Sequence, residues 1–490
     1  MSDRPLNWRP LRPCIAALVA AASIGAAPAA HASGTGRPDR PAARDELVPW
    51  VRASRAVFPA SEAIRALRAR AIPGFSRQTK LACNVCHYGF PELTPFGRLF
   101  KLNGYTLTGL ETIEARDSAR ESLKLAPFPP VSAMAIASVT HTGASVPGTQ
   151  NNTAVFPDEL SLFVAGELTP KLGAFVQLTY SAADAAVALD NTEFRFADRT
   201  RLFSKELLYG ITLHNNPTMQ DVWNTAPAWG FPFTSSGTAP TPMAGATIDD
   251  ALGQQVLGLG AYAFWHDWIY AEFTAYRSAQ QGVTMPLGAD AAGVARHVIP
   301  YWRLAIQHQF GASYLMLGTF GLVAHLYPGG VTGPTDRYAD VAADAQFERR
   351  IGRGVVIGRS TYIHESRTLD GLVAQDTPGA ARRHGTLDVF RVSASYMPSL
   401  RLDISAGYFD TGGSRDAILY PAGDITGSAT GSPSSNGGVG EVDFNAWQNA
   451  RLGAQYVAYR KFNGASRSYD GAGRSASDND TLFLFVWLAF

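Results

Sequence analysis

The sequence predicts an all-β transmembrane barrel of about sixteen antiparallel strands behind a small α-helical domain. Three observations carry that reading. Beyond residue 130 the chain alternates polar and apolar side chains with period two, the mark of strands with two unlike faces. Residues 336–350 show it most plainly: Tyr338, Asp340, Asp344, Gln346 and Glu348 fall on one parity, and Ala339, Val341, Ala343, Ala345 and Phe347 on the other. The second observation is the link lengths. Tight links at 169–172, 199–204, 266–267, 310–312, 350–353, 398–399 and 447–450 alternate with mostly longer Gly-, Pro-, Ser- and Asn-rich links at 141–155, 181–189, 215–250, 278–298, 327–335, 367–383, 411–436 and 463–479. Short turns at one end and longer loops at the other are the outer-membrane rule, whereas the period-two stripes alone would also suit a soluble sandwich. Third, the chain ends on Leu482, Leu484, Val486, Leu488 and Phe490, an apolar residue at every second position.

The front of the chain reads as a secretory signal, residues 1–32. Arg4, Arg9 and Arg12 precede an apolar run over 14–26 that is too short to span a bilayer, and Ala30-His31-Ala32 offers a cleavage site before Ser33. The formal net charge of +1 falls to −1 once Asp3 and the three arginines leave. That balance gives no electrostatic argument for binding nucleic acid or an anionic membrane surface. Residues 33–44 form a Gly/Pro/Arg/Ala linker, and 47–57 and 61–71 are expected as short helices separated by Pro59, with Ser61 as an N-cap. Pro127-Phe128-Pro129-Pro130 is a stiff hinge, which divides a first domain over 33–128 from the barrel over 129–490.

Within the first domain, Cys83-Asn84-Val85-Cys86-His87 sets two thiols three residues apart with a histidine next, the attachment pattern of c-type haem. On one helical turn, positions i, i+3 and i+4 share a face. Both thiols can then reach the vinyl groups of one porphyrin while His87 sits over the iron. Half of a zinc site would want a second close pair of ligands, which the chain lacks. A redox dithiol has no use for the trailing histidine. Cys14 leaves with the signal, so Cys83 and Cys86 are the cysteines of the mature chain. The expected cofactor is one covalent haem c, with His87 as the proximal iron ligand.

Thr94-Pro95 then reads as an N-cap with a first-turn proline, and Asn103-Gly104 as a helix stop. Phe96, Leu99, Phe100 and Asn103 share one face of that helix. Ordinary amphipathic packing accounts for such a face; beside a covalent porphyrin, Phe96 and Phe100 are also expected to wall the haem pocket. The stretch Phe75-Ser76-Arg77-Gln78-Thr79 before the motif, with Pro91-Glu92-Leu93-Thr94-Pro95-Phe96-Gly97-Arg98 and Phe100-Lys101-Leu102-Asn103-Gly104-Tyr105 after it, resembles the fused monohaem cytochrome–porins of bacterial outer membranes. The best-known members of that family are iron oxidases. The resemblance implies a c-type cytochrome domain fused to a porin, an extracellular electron donor such as ferrous iron, and an iron:cytochrome c oxidoreductase activity.

A sixteen-strand barrel leaves a wide lumen. Strand parity points Glu159, Glu167, Glu193, Glu272, Asp340, Asp344, Glu348, Asp403, Glu441 and Asp443 into it, opposed by Arg195, Arg303 and Arg401. Porin interiors are polar in any case, but the excess of carboxylates favours cations. The inner face of the last strand, Thr481, Phe483, Phe485, Trp487 and Ala489, suits a protein plug better than water. The haem domain is expected to be that plug, in the lumen or on its periplasmic side. The mature chain has no methionine before Met134 and no histidine from Tyr88 to Thr140, so the sixth iron ligand is expected from the barrel. Met134 is the first choice, with His141 and His214 behind it. The function expected is an outer-membrane electron conduit that takes electrons from an extracellular donor and passes them to a periplasmic c-type cytochrome or similar soluble carrier. The competing reading is a solute or cation porin whose haem domain is a plug or gate, and a third is a haem sensor or peroxidase with an open iron site.

Overall fold

The structure, a computed structural model, describes residues 73–107, 113–116, 122–125, 130–146, 151–278, 294–329, 331–375, 382–423 and 425–490. The signal segment, the linker, the helices expected over 47–57 and 61–71, and residues 127–129 of the hinge lie outside them. No helix among the described residues is long and apolar enough to cross a membrane.

Sixteen long strands form one closed antiparallel barrel. They are β1 (Val131–Thr142), β2 (Thr153–Thr169), β3 (Leu172–Ser181), β4 (Ala186–Leu202), β5 (Lys205–His214), β6 (Val256–Trp265), β7 (Ile269–Ser278) and β8 (Ile299–Phe310), followed by β9 (Ser313–Tyr327), β10 (Asp336–Ile351), β11 (Gly354–Leu369), β12 (His384–Ser399), β13 (Leu402–Gly413), β14 (Ser435–Trp447), β15 (Ala450–Lys461) and β16 (Thr481–Ala489). Each pairs with its neighbour in sequence, and β16 returns to β1 with Leu484 opposite Val139 and Trp487 opposite Ile136. Closure leaves no unpaired sheet edge, which the interior of a bilayer demands. The two-residue strand Val294–Ala295 is a side piece laid against Leu326 and Tyr327. Ile113–Arg116 and Ser122–Leu125 pair as a separate hairpin.

All seven tight links turn up as strand-to-strand turns, in the expected order and at one end of the barrel. One is displaced: the turn expected at 398–399 falls at Leu400 and Arg401. Pro398 has no N–H to give the ladder, and the register breaks between Tyr396 and Ser399. Arg401, expected in the lumen, is therefore an exposed turn residue. The link expected over 181–189 also shrinks, to 182–185, because Ala186 to Leu189 pair with Leu178 to Ser181. Strand-forming Val187 and Leu189 extend the ladder there.

Side-chain burial follows the expected parity. On β10, Asp340, Asp344, Gln346 and Glu348 are buried inside while Val341, Ala343 and Phe347 face out. Outward-facing Leu259, Phe273, Ile306, Leu317, Val341 and Leu484 are exposed. On β10 the outward apolar residues run from Phe347 to Ala339, between Arg349 and Arg337, and at ~3.3 Å per residue with a tilt of about 40° that stretch is ~20 Å tall.

The lumen is filled. Residues 73–107 lie in it, and the link between β5 and β6 folds inward above them. In that link Asp221 accepts the N–H groups of Thr225 and Ala226 (2.9 and 3.0 Å) and pairs with Arg303 (3.1 Å). Arg303 also bonds Asp344 of the wall at 2.6 Å, and both groups of that pair are shielded from solvent. Further along, Thr247 and Ile248 donate their N–H groups to Glu365 (2.6 Å) and Asp340 (2.7 Å). Charged wall residues thus serve as attachment points for the inward chain, consistent with the rule that buried charges persist when paired or hydrogen-bonded.

Candidate haem centre

The segment from Pro73 to Leu107 is short on regular structure and long on mutual clasps. Its helices are α1 (Gly74–Thr79), α2 (Cys83–Cys86) and α3 (Pro95–Leu102). Thr94 caps α3 as expected, its hydroxyl accepting the Gly97 N–H at 3.1 Å. The same hydroxyl donates to the Val85 carbonyl (2.6 Å), and the Thr94 N–H donates to the Cys86 carbonyl (2.9 Å), so one residue ties α3 to the cysteine turn. Gly97 lets the two approach: a Cβ there would collide with the Cys86 carbonyl oxygen. Sequence reading missed Gly97, whose role depends on a neighbour in space.

Cys83 and Cys86 lie on one helical turn, half-buried, with free thiols. His87 departs from expectation in one respect. It caps α2 in an extended conformation (φ −123°, ψ 140°) rather than continuing the helix. The reason is its bridge to Leu93, with the Tyr88 N–H donating to the Glu92 carbonyl at 2.9 Å. The His87 Nδ1 is buried with no hydrogen-bond partner. Burial pushes the imidazole down to about 4, which keeps it neutral near pH 7, the form that ligates iron. Burial, with Cys83 beside it, pushes the Cys86 thiol up to about 11, opposite to the depressed value of a reactive dithiol. Two free thiols on one turn and a buried neutral imidazole next to them fit a covalently attached haem.

The expected pocket residues separate. Phe100 is buried, packing edge-on against Phe75 with centroids 5.2 Å apart, while Phe96 is 37 % exposed. The face of α3 that meets the barrel carries Arg98, Lys101 and Leu102, all buried. Arg98 pairs with Glu348 of β10, which also accepts the Tyr88 hydroxyl at 3.0 Å. Lys101 donates to the carbonyls of Met219 (2.7 Å) and Asp221 (3.0 Å) in the inward link. Tyr105 donates to Glu193 of β4 at 2.6 Å, and Glu92 pairs with Arg359 of β11 at 2.5 Å. These contacts engage several of the carboxylates expected in the lumen. Glu193 and Asp344 pair with Arg195 and Arg303, Glu348 is taken by Arg98, and Arg359, Arg367 and Arg451 add charge that the parity count omitted.

The motif sits at the short-turn end. The Cys83 N–H donates to Gln448 in the turn between β14 and β15 (3.2 Å), and Arg77 donates to the Val131 carbonyl at the start of β1. Phe90 stacks on Trp487 of β16 (5.2 Å) and lies 5.3 Å from the His87 ring, while Arg451 donates to its carbonyl at 3.0 Å. The apolar inner stripe of the last strand therefore does meet the plug.

Met134 is buried and inward-facing, as parity requires, and packs with Ile136, Phe163, Phe483, Phe485, Trp487 and Ala489. A second methionine at the same end, Met397 of β12, packs with Tyr88, and its Cε lies 3.6 Å from where a Gly89 Cβ would stand. Sequence reading passed it over because it is 310 positions beyond His87. Of the reserve ligands, His141 is exposed and bonded to the Asn151 carbonyl at 2.6 Å. His214 is buried with one ring nitrogen on the Asn216 carbonyl (3.2 Å) and the other on Gln220.

No family model matches the chain, and no curated protein does. Among solved structures the barrel is similar to OmpT, an outer membrane protein of Vibrio cholerae (10 % identity, 74 % of this chain and 96 % of that one, TM-score 0.39). It is likewise similar to OmpF of Salmonella typhi in complex with daunomycin (11 %, 74 % and 97 %, 0.41) and to an anion-selective porin from Comamonas acidovorans (12 %, 74 % and 98 %, 0.41).

Proposed function

We propose that the chain is an outer-membrane electron conduit: a barrel whose lumen is sealed by a segment carrying one haem c on Cys83 and Cys86, with His87 as axial ligand. The observation that supports it best is that the haem-attachment motif is fastened inside a filled barrel rather than beside an open pore. Bound haem supplies one-electron redox chemistry. The chain's own part is to hold the attachment site at the short-turn mouth, to shield His87, and to block bulk water with the inward link. Phe96 and Phe100 would flank the porphyrin. With short turns facing the periplasm, the site faces soluble carriers such as periplasmic c-type cytochromes, and the donor, ferrous iron in the best-known members of the family the sequence resembles, acts from the long-link side. The chain folded into the lumen weighs against a wide-open solute porin.

The test is a haem spectrum of sealed vesicles with the long links outward, titrated with ferrous iron or another impermeant reductant. Reduction of the haem supports the conduit. Solute conductance without redox change would support the porin instead, and rapid peroxide turnover would support a peroxidase.

The sixth ligand is proposed to be a thioether from the wall, Met134 by strand parity or Met397 by its contact with the motif. Oxidised protein should then show the sulfur-to-iron charge-transfer band of His/Met ligation. One of Met134→Ala and Met397→Ala should abolish the band and the other leave it. Its absence from the unmodified protein would rule out both methionines.

A further inference from the structure

Five basic side chains gather on the outer face of the barrel at its long-link end. Arg277 lies at the end of β7, Arg296 and His297 form the bend before β8, His325 is near the end of β9 and Arg337 near the start of β10. The fold brings them together. His325 and Arg337 are directly opposite in the ladder, the Arg296 N–H donates to the His325 carbonyl at 2.9 Å, and the Arg277 guanidinium reaches the Arg296 carbonyl at 3.5 Å. The rings of His297 and His325 meet edge to face with centroids 6.1 Å apart, and Arg296, Arg337 and His297 all lie within electrostatic reach of His325.

Like charges this close repel unless something negative lies among them. The nearby carboxylates are engaged elsewhere: Asp336 accepts the N–H groups of Gly371 (2.8 Å) and Leu372 (3.0 Å), and Asp370 pairs with Arg383 at 2.6 Å. Among the described residues no carboxylate makes an ion pair with any of the five. Below the patch the surface turns apolar, with Phe273, Val298, Leu304 and Val341 exposed. Arg337 stands two residues above Ala339, the last outward apolar residue of β10, which at ~3.3 Å per residue and a tilt of about 40° places it ~5 Å above the apolar band, at headgroup depth.

We propose that this patch binds the phosphate groups of an anionic lipid in the outer leaflet, whose acyl chains lie on the apolar surface beneath. Guanidinium groups hold phosphate through paired charge-assisted hydrogen bonds, and a basic cluster at the edge of a hydrophobic band is the arrangement that recognises such headgroups. The inference rests on the membrane reading of the barrel and is independent of the haem.

The experiment uses the full-length protein in detergent, mixed with a bis-phosphorylated glycolipid and observed by native mass spectrometry. Two further arms hold the same lipid without its phosphates and the bis-phosphorylated lipid with added inorganic phosphate. The phosphorylated lipid should be retained, and the phosphate-free lipid should bind weaker by on the order of tenfold or more. Inorganic phosphate at equal concentration should not displace it. Arg296→Gln with Arg337→Gln should weaken retention by a similar factor, while Arg353→Gln at the opposite end should not. Equal retention of the phosphate-free lipid, displacement by equimolar phosphate, or an unchanged double variant would overturn the proposal. Should the double variant fail to fold as a heat-modifiable barrel, His297→Gln and Arg337→Gln singly carry the same test. A barrel that does not insert into membranes at all would instead refute the membrane reading.

Discussion

Replacing both thiols, Cys83→Ser with Cys86→Ser, is expected to remove every trace of covalently held haem from the denatured protein. Each thioether needs its own sulfur, so the single variants should keep one bond and stain more weakly, and the double variant should not stain at all. Mass spectrometry should show the same steps. Neither sulfur contributes to the barrel ladder, so the closed barrel should still form and run with heat-modifiable mobility. Haem stain retained by the double variant would end the haem reading and every step built on it.

The second large effect is expected at the Arg98–Glu348 pair, where both side chains are buried. Glu348→Ala would leave the guanidinium of Arg98 without its carboxylate partner, and the Tyr88 hydroxyl without its acceptor. Removing one member of a buried pair costs about 3–5 kcal/mol. The plug should then open more often around α3, with limited proteolysis cutting between residues 73 and 107 while the barrel stays intact. Replacing both members, Arg98→Met with Glu348→Leu, should restore much of the protection, since a neutral apolar pair leaves no charge unpaired. If Glu348→Ala is as resistant to protease as the unaltered protein, the plug is held by something other than this pair.

Strand number, turn positions and inward parity were legible in the sequence because a barrel wall obeys a strictly local rule. Each residue's face follows from its neighbours two positions away, so Asp340 and Glu348 could be placed without knowing any other strand. Where local chemistry broke the rule, the reading slipped, as at Pro398, which moved a turn and took Arg401 out of the lumen. The run over residues 83–87 stood out for being contiguous, and the haem on it is a proposal. What could not be read was how the lumen is filled. Arg98 and Lys101 look like the solvent face of an amphipathic helix, yet they are the buried face of α3, because their partners lie on β10 and in the β5–β6 link. Gly97 and Met397 were invisible for the same reason: each matters through a residue distant in sequence or on another element.

The bond from the Cys83 N–H to Gln448 joins positions 365 residues apart. That span has a consequence for how the molecule is made. The attachment segment is synthesised early, yet its docking site is complete only after the fourteenth and fifteenth strands are in place. Contacts so remote in the chain form late, because loop closure must precede them. Until then the cysteine turn is undocked, and after barrel closure it is half-buried at the short-turn end. Under the proposed haem attachment, modification would precede final docking, and a chain that closed first would remain an unmodified barrel. Pulse-labelled chains should accordingly acquire haem before they acquire heat-modifiable mobility.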